Sequence, residues 1–217
     1  MNNRWNKVIY KFWAPFYDYL FNSGPFLKAR KKIFESLDIT PNSKVLFVGI
    51  GTGADLQFIL GKNVSVTAID LSPEILGRAK NQYDTPNVTF MEMDAQNLTF
   101  SPESFDMVIA NLILSVVPDP NQCFQEMIRV TRTGGRILIF DKFAPPSREL
   151  PVMKKILRPV VALMGTDIGL HFEQIIMPYE KQIRVDEDAS ALFNGMYRKS
   201  CLEKLQDNSW QVTGRGK

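Results

Sequence analysis

Histidine and cysteine are scarce in this chain: one histidine and two cysteines among 217 residues. Cys123 and Cys201 belong to no CxxC pair and no Cys/His cluster, so neither a metal centre nor a disulfide framework is legible. They read as small buried hydrophobes, one in a helix and one in a strand, of a protein kept in a reducing compartment. The lone His171 has no acid placed to partner it and reads as a surface or structural residue. No apolar run approaches the ~20 residues of a membrane-spanning helix, and Met1–Trp5 does not open a signal peptide. A cytoplasmic protein is expected, with peripheral contact at the inner membrane surface left open. The net charge of +3 is too weak to argue for nucleic acid. There is no internal repeat, low-complexity tract or long linker, so residues 1–217 read as one domain.

What is present is ordinary globular composition, 45% hydrophobic and 23% charged, arranged in alternating strand and helix signals. Val45–Val48 reads as a buried strand, and Gly49, Gly51 and Gly53 follow at once. Ala54–Leu60 is expected to be a helix stopped by Gly61. Val64–Asp70 is a second strand. Ser72-Pro73 opens a helix running to about Tyr83, with a hydroxyl cap and a proline whose missing N–H costs nothing there. Val88–Met93 and Phe105–Asn111 are further strands. Pro118-Asp119-Pro120 precedes a helix that Gly134-Gly135 closes, and Arg136–Asp141 is the fifth strand. Gln182–Phe193 and Tyr197–Leu205 read as two strands joined around Asn194-Gly195. This partitions the chain into a helical aromatic and basic segment (1–40), a ligand-binding core (41–141), an irregular insert (142–178) and a C-terminal hairpin (179–205).

A strand, a glycine turn and a helix in succession let a nucleotide-like ligand approach bare backbone. Gly49, Gly51 and Ala54 satisfy even the dinucleotide spacing G-x-G-x-x-A. Asp70 ends the second strand, where one carboxylate can serve two ribose hydroxyls, and Leu71 follows it. Asp94 with small Ala95 suits an adenine edge, and Asn111 opens onto the crevice at the end of the fourth strand. A short-chain dehydrogenase would need Tyr-x-x-x-Lys, and no tyrosine here has lysine four residues on.

Taken together, VLFVGIGTG, AIDLSP, MDAQNL, FDMVIANLILSVVPDP and RVTRTGGRILIFD resemble the ordered motifs of class I S-adenosylmethionine-dependent methyltransferases over residues 40–145. The resemblance implies a Rossmann-like α/β sheet of seven strands in the order 3-2-1-4-5-7-6, the last antiparallel, with helices on both faces. It implies S-adenosylmethionine as methyl donor and S-adenosylhomocysteine as product. Gly49, Gly51 and Gly53 would cradle the methionine part, Asp70 and Leu71 the ribose, Asp94 and Ala95 the adenine, and Asn111 the mouth of the pocket. One departure stands out: the family usually carries an acid at the third position of motif I, where this chain has Phe47. Asp55 either compensates for it or merely balances a helix dipole.

Methyl transfer from a sulfonium is an in-line displacement that asks mainly for alignment and exclusion of water, so the acceptor is weakly encoded. Asn111-Leu112-Ile113-Leu114 lacks the prolines and aromatic of base-nitrogen methyltransferases, and no metal-ligand spacing is present. Residues 1–40 carry seven cations, among them Arg30, against Asp18, Glu35 and Asp38. Trp5, Val8, Ile9, Phe12, Trp13, Phe16, Leu20 and Phe21 recur at helical spacing beside Lys7 and Lys11, as a lid or an interfacial helix drawn to anionic lipid. WAPFYD (13–18) is similar to the entry segment of bacterial phospholipid N-methyltransferases and quinone-biosynthesis C-methyltransferases, which implies Tyr17, and less directly Tyr10, beside the active site. Lys154, Lys155 and Arg158 in the insert read either as a substrate cap or as a solvated face. Tyr197 and Arg198 read as pocket, core or edge residues. The acceptor expected is small or lipid-like, the amine of phosphatidylethanolamine first. The alternatives are a soluble thiol, hydroxyl or quinone-carbon acceptor, and a non-catalytic S-adenosylmethionine-binding protein.

Overall fold

A seven-stranded sheet organises residues 23–144 and 169–206, the part of the chain that the computed structural model describes. Tyr10, Tyr17, the aromatic stripe around them, and Lys154, Lys155 and Arg158 lie outside the described residues. Strands β1 (Lys44–Val48), β2 (Ser65–Asp70), β3 (Val88–Glu92), β4 (Phe105–Asn111) and β5 (Thr131–Lys142) run parallel. Strand β7 (Tyr197–Lys204) is antiparallel to both β5 and β6 (Ile183–Leu192). The order β3-β2-β1-β4-β5-β7-β6 is the one that the family resemblance implies.

Strand β1 is buried on both faces from Val45 onward, which is why it reads as an unbroken apolar run rather than an alternating one. Leu46 and Val48 enter the layer under helix α3 (Pro120–Val130), with Phe124 and Met127. Val45 and Phe47 enter the opposite layer with Phe26, Ile33 and Phe34 of helix α1 (Gly24–Glu35). Helix α2 (Pro73–Gln82) contributes Leu76 to that second layer. Helix α4 (Phe172–Ile176) adds Phe172 and Ile175 to the first. Removing a large apolar side chain such as Phe47 or Phe124 from water contributes roughly 1.5–3 kcal/mol. The local start signals act as expected: Ser72 Oγ accepts the Ile75 N–H at 3.4 Å, and Asp119 accepts that of Gln122 at 3.0 Å. Cys123 and Cys201 are buried in α3 and β7.

Two expectations are corrected. Ala54–Leu60 is not an α-helix but two 3₁₀ turns, Leu56–Phe58 and Leu60–Lys62, and the left-handed residue that ends them is Asn63 rather than Gly61. The N–H groups of Leu56, Phe58 and Ile59 bond the carbonyls three residues back, which winds the segment as 3₁₀ turns, and Asp55 is drawn into a tertiary ion pair with Arg30. Gly134-Gly135 does not close the α3 unit but lies inside β5, in an irregularity where the β4 partners step from Phe105 to Met107. Hairpin β6–β7 does turn around Asn194-Gly195, and Phe193 joins Gly195 there at positive φ. Among the described residues no helix is long and apolar enough to cross a membrane.

The loop after β3, which carries Asp94, is sewn to α3. Glu126 accepts the Leu98 N–H at 2.8 Å, and Arg129 donates to the Leu98 and Phe100 carbonyls at 2.8 and 2.7 Å. Arg129 Nε closes the clasp on Glu126 at 2.7 Å. Gln96 Oε1 adds a stitch by accepting the Asp119 N–H at 2.8 Å. The bond from Arg129, then that from the Leu98 N–H, holds the Glu126 carboxyl below its ordinary value of 4.5.

Two stability measurements check this account. A Cβ at Gly135 would lie 2.8 Å from the Arg132 carbonyl and 2.9 Å from that of Asp106, whereas one at helical Gly77 meets nothing within 4 Å. Gly135→Ala is therefore expected to destabilise by about 1–3 kcal/mol, and Gly77→Ala to stabilise by about 0.5–1 kcal/mol, with melting temperatures moving in opposite directions. Glu126→Gln is expected to lose about 1–3 kcal/mol at neutral pH. Because the folded carboxyl titrates below its unfolded value, its contribution is present above that value and is lost as pH falls through the folded one. Urea denaturation should show the deficit at neutral pH and a smaller one near about pH 3.

Candidate functional site

The strand order reverses between β1 and β4, and the crevice outside the carboxyl ends of such strands is where sheets of this kind receive ligands. Immediately after β1, Gly49, Gly51 and Gly53 take φ values of +70°, +57° and +83°, a run that only glycine enters without strain. A Cβ on Gly49 would come within 2.6 Å of Ile113 Cδ1, whereas above Gly51 nothing lies within 4 Å. The turn therefore presents open backbone to the crevice.

Strand β2 supplies the post that fixes this turn. Asp70 Oδ2 accepts the Gly51 N–H at 2.9 Å and Oδ1 the Ser72 N–H at 3.0 Å. Ile50 N–H meets the Ile69 carbonyl at 2.9 Å. Leu71 is half-buried beside Asp70. At the end of β3, Asp94 Oδ1 accepts both the backbone N–H and the amide of Gln96 at 2.9 Å, with Ala95 buried behind it. Asn111 closes β4, and Leu112 after it is held at φ +55° by a 2.8 Å bond to the Phe140 carbonyl. A left-handed leucine is strained, and such strain persists where surrounding structure imposes it. Gly51 and Asp70 are thus joined directly, and Asn111 and Asp94 stand on the same edge.

The structure adds a group that the sequence shows only in pieces. Arg30, 4% exposed on α1, pairs through Nε with Asp55 Oδ1 at 2.8 Å. Asp55 Oδ2 in turn accepts the Asn111 amide at 2.7 Å. Burial pushes the Asp55 carboxyl upward, opposed by the Arg30 charge and the Asn111 bond. Asn111 Oδ1 is buried with no partner among the described residues. The signal for Arg30 was available: Phe26, Arg30, Ile33, Phe34 and Leu37 share one helical stripe, and a cation on a buried stripe calls for an anion. Tyr83 also borders the turn, since its ring would lie 3.0 Å from a Cβ on Gly53. Its hydroxyl is pushed upward by burial and then by the Asp55 charge.

Other candidates turn out to be structural. Tyr197 packs edge-on against Phe26 at 5.0 Å and is 5% exposed. Arg198 pairs with Asp188 and Glu173 under the rings of Phe143 and Phe172. His171 precedes α4 as its cap residue. Asp141, fully buried at the end of β5, accepts the N–H groups of Ser115 and Lys142 at 3.2 and 2.7 Å and so pins the loop after β4. Burial pushes its carboxyl upward. The arrangement is suited to gripping and aligning a ligand rather than to forming a covalent bond with one.

Comparison with known proteins gives this crevice a family. A protein-family model described as a methyltransferase domain matches residues 46–139. The chain is 36% identical over 170 residues to a phosphatidylethanolamine N-methyltransferase of Cereibacter sphaeroides, covering 76% of this chain and 82% of that one. It is 33% identical over 131 residues to a demethylmenaquinone methyltransferase of Paenarthrobacter aurescens, covering 59% of this chain and 51% of that one. In fold it is similar to the methyltransferase solved with the Trm112 activator of Haloferax volcanii, with a TM-score of 0.75 at 15% identity over 95% of this chain and 100% of that one. It is also similar to phosphoethanolamine N-methyltransferase 2 of Haemonchus contortus, solved with S-adenosyl-L-methionine, with a TM-score of 0.64 at 17% identity over 88% of this chain and 60% of that one. With the glycine turn, the strand-end acids and the strand order all in place, the chain belongs to the class I S-adenosylmethionine-dependent methyltransferases.

Proposed function

We propose that this methyltransferase acts on a lipid-like acceptor, with the primary amine of the phosphatidylethanolamine headgroup as the leading case. The observation that carries the reading is the 36% identity, over 82% of its length, to a phosphatidylethanolamine N-methyltransferase. Two features support it. The N-terminal segment outside the described residues places Lys7 and Lys11 beside an aromatic stripe, a composition suited to an anionic membrane surface. Phe193, 55% exposed, tips the β6–β7 turn at the edge where β5 ends, the same edge as the crevice. The protein would then work in the cytoplasm, in peripheral contact with the inner membrane surface.

The residues present fit S-adenosylmethionine: bare backbone at Gly51, carboxylates ending β2 and following β3, and a buried amide oxygen at Asn111 seeking a donor. Gly49, Gly51 and Gly53 would cradle its methionine part, Asp70 and Leu71 its ribose, and Asp94 with Ala95 its adenine. When bound, it supplies an electrophilic methyl carbon. The chain's own work is to align the acceptor with that carbon and to exclude water, which alone can supply about 7–11 kcal/mol. An acceptor amine must be neutral to react, and desolvation in the crevice favours that form. As the nitrogen takes the methyl group the carbon–sulfur bond would break, leaving S-adenosylhomocysteine, and the N-methylammonium formed would release one proton to water, directly or relayed through a tyrosine hydroxyl, for which Tyr17 and then Tyr10 are the candidates. Asn111 would border the reacting centre. The similarity to demethylmenaquinone methyltransferases favours a second reading, a quinone-carbon acceptor in the same pocket.

Asp70→Ala is expected to raise the S-adenosylmethionine dissociation constant about 10-fold or more, the loss of charge-assisted hydrogen bonds worth roughly 1.5–3 kcal/mol, as read by calorimetry. An unchanged constant would remove Asp70 from the site. In a radiolabelled methyl-donor assay run in parallel on phosphatidylethanolamine vesicles, a demethylmenaquinone and a soluble metabolite extract, label is expected in the vesicle lipid. Label confined to the quinone would establish the second reading, and label confined to the soluble extract would overturn both.

A further inference from the structure

We infer that Asp55, clamped between Arg30 and Asn111, serves here in place of the absent motif I acid and, together with Asn111 Oδ1, receives the α-amino group of the methyl donor. The inference rests on the methyl donor being S-adenosylmethionine.

Phe47 occupies the third position of motif I, and its side chain is 2% exposed within the α1 layer, stacked on Phe34 at 6.3 Å. A carboxylate at that point would lie against Phe34, in a buried apolar layer that also holds Ile33 and Leu56, stripped of the water that makes a charge tolerable. Eight residues later the chain returns from the glycine turn and brings Asp55 to α1, where it meets Arg30. The acid is thus displaced along the chain but kept on the side of the sheet that carries Phe47.

A buried Arg–Asp pair is weak evidence for stability, because apolar residues of similar volume commonly do as well in its place. Keeping Arg30 and Asp55 in an otherwise apolar layer calls for a task that apolar residues cannot perform. The position of Asn111 indicates that task. Its amide donates to Asp55 Oδ2 at 2.7 Å, which leaves its carbonyl oxygen, Oδ1, buried with no partner among the described residues. A buried acceptor without a donor destabilises the fold unless a ligand supplies one. An ammonium group offers three N–H donors, enough for Asn111 Oδ1, the Asp55 carboxylate and a carbonyl of the glycine turn. Asp55 therefore acts twice, as a charge facing the ammonium and as the acceptor that orients the Asn111 amide so that Oδ1 points to the ligand. Arg30 is a positioning residue: it fixes the rotamer of Asp55, and its charge opposes the upward push of burial on that carboxyl. A consequence is that α1 is tied, through Arg30, to the amino-acid end of the donor pocket.

The test compares two ligands that share the adenosyl thioether and differ at the amino-acid end. S-adenosylhomocysteine carries the amino-acid group, and 5′-methylthioadenosine lacks it. For Asp55→Asn, calorimetry is expected to show the dissociation constant of S-adenosylhomocysteine raised about 10-fold or more, with that of methylthioadenosine changed less than about 2-fold. Asn111→Ala should give the same selective loss, and it carries the test if Asp55→Asn does not fold. Arg30→Met should also weaken the amino-acid-bearing ligand selectively. Equal weakening of both ligands, or of neither, would overturn the inference. Failure of the wild-type protein to bind either ligand would instead sink the donor assignment on which it rests.

Discussion

The bond from the Gly51 N–H to the Asp70 carboxylate, 2.9 Å long, ties together the two features on which the crevice depends. A turn with three left-handed glycines has large conformational entropy to lose, and nothing within the turn itself selects one arrangement. Asp70 does so from the neighbouring strand, with one oxygen on the turn and the other on the Ser72 N–H that opens α2. One carboxylate thus sets the end of β2, the cap of α2 and the shape of the loop after β1. Because its oxygens each carry two lone pairs, it can do this and still accept from a ligand.

The rest of the crevice is held by similar side-chain-to-backbone stitches rather than by loop stiffness. Glu126 and Arg129 hold the loop after β3 against α3, and Asp141 holds the loop after β4 through the Ser115 N–H. Each places a buried or half-buried polar side chain where it satisfies backbone N–H groups or carbonyls of a loop. A methyl-transfer site gains from this design, since its catalytic contribution is alignment, and misalignment by a fraction of an ångström is costly. The same logic gives Arg198 and Tyr197 to the architecture: both are fully engaged in core and edge contacts.

How far the sequence was legible depended on the range of the interaction concerned. Apolar runs at Val45–Val48 and Met107–Ala110 named the central strands because burial on both faces removes polar residues from them. Ser72 and Asp119 named two helix starts because a cap bonds within three residues of itself. Ala54–Leu60 misled because its apolar spacing suits an α-helix while its backbone bonds close three residues back, and a distant arginine claims its acid. Gly134-Gly135 misled because glycine pairs signal turns, whereas here close approach of the Arg132 and Asp106 carbonyls to Gly135 requires the missing side chain within a strand.

By itself the sequence determined the succession of the strands, the glycine turn, and the acids and amide that end β2 and β4 or follow β3, since each is written in neighbouring residues or in motifs of fixed spacing. The tertiary structure alone decided that Arg30, Asp55 and Asn111 form one buried group, because their contacts span 25 and 56 positions of chain and arise only when α1 packs across β1. It also decided that Phe47 is a core residue of the α1 layer and not an empty place in the binding site. Pairing a buried charge is a requirement of the folded interior, where water is absent, and a linear sequence records the charge without recording its partner.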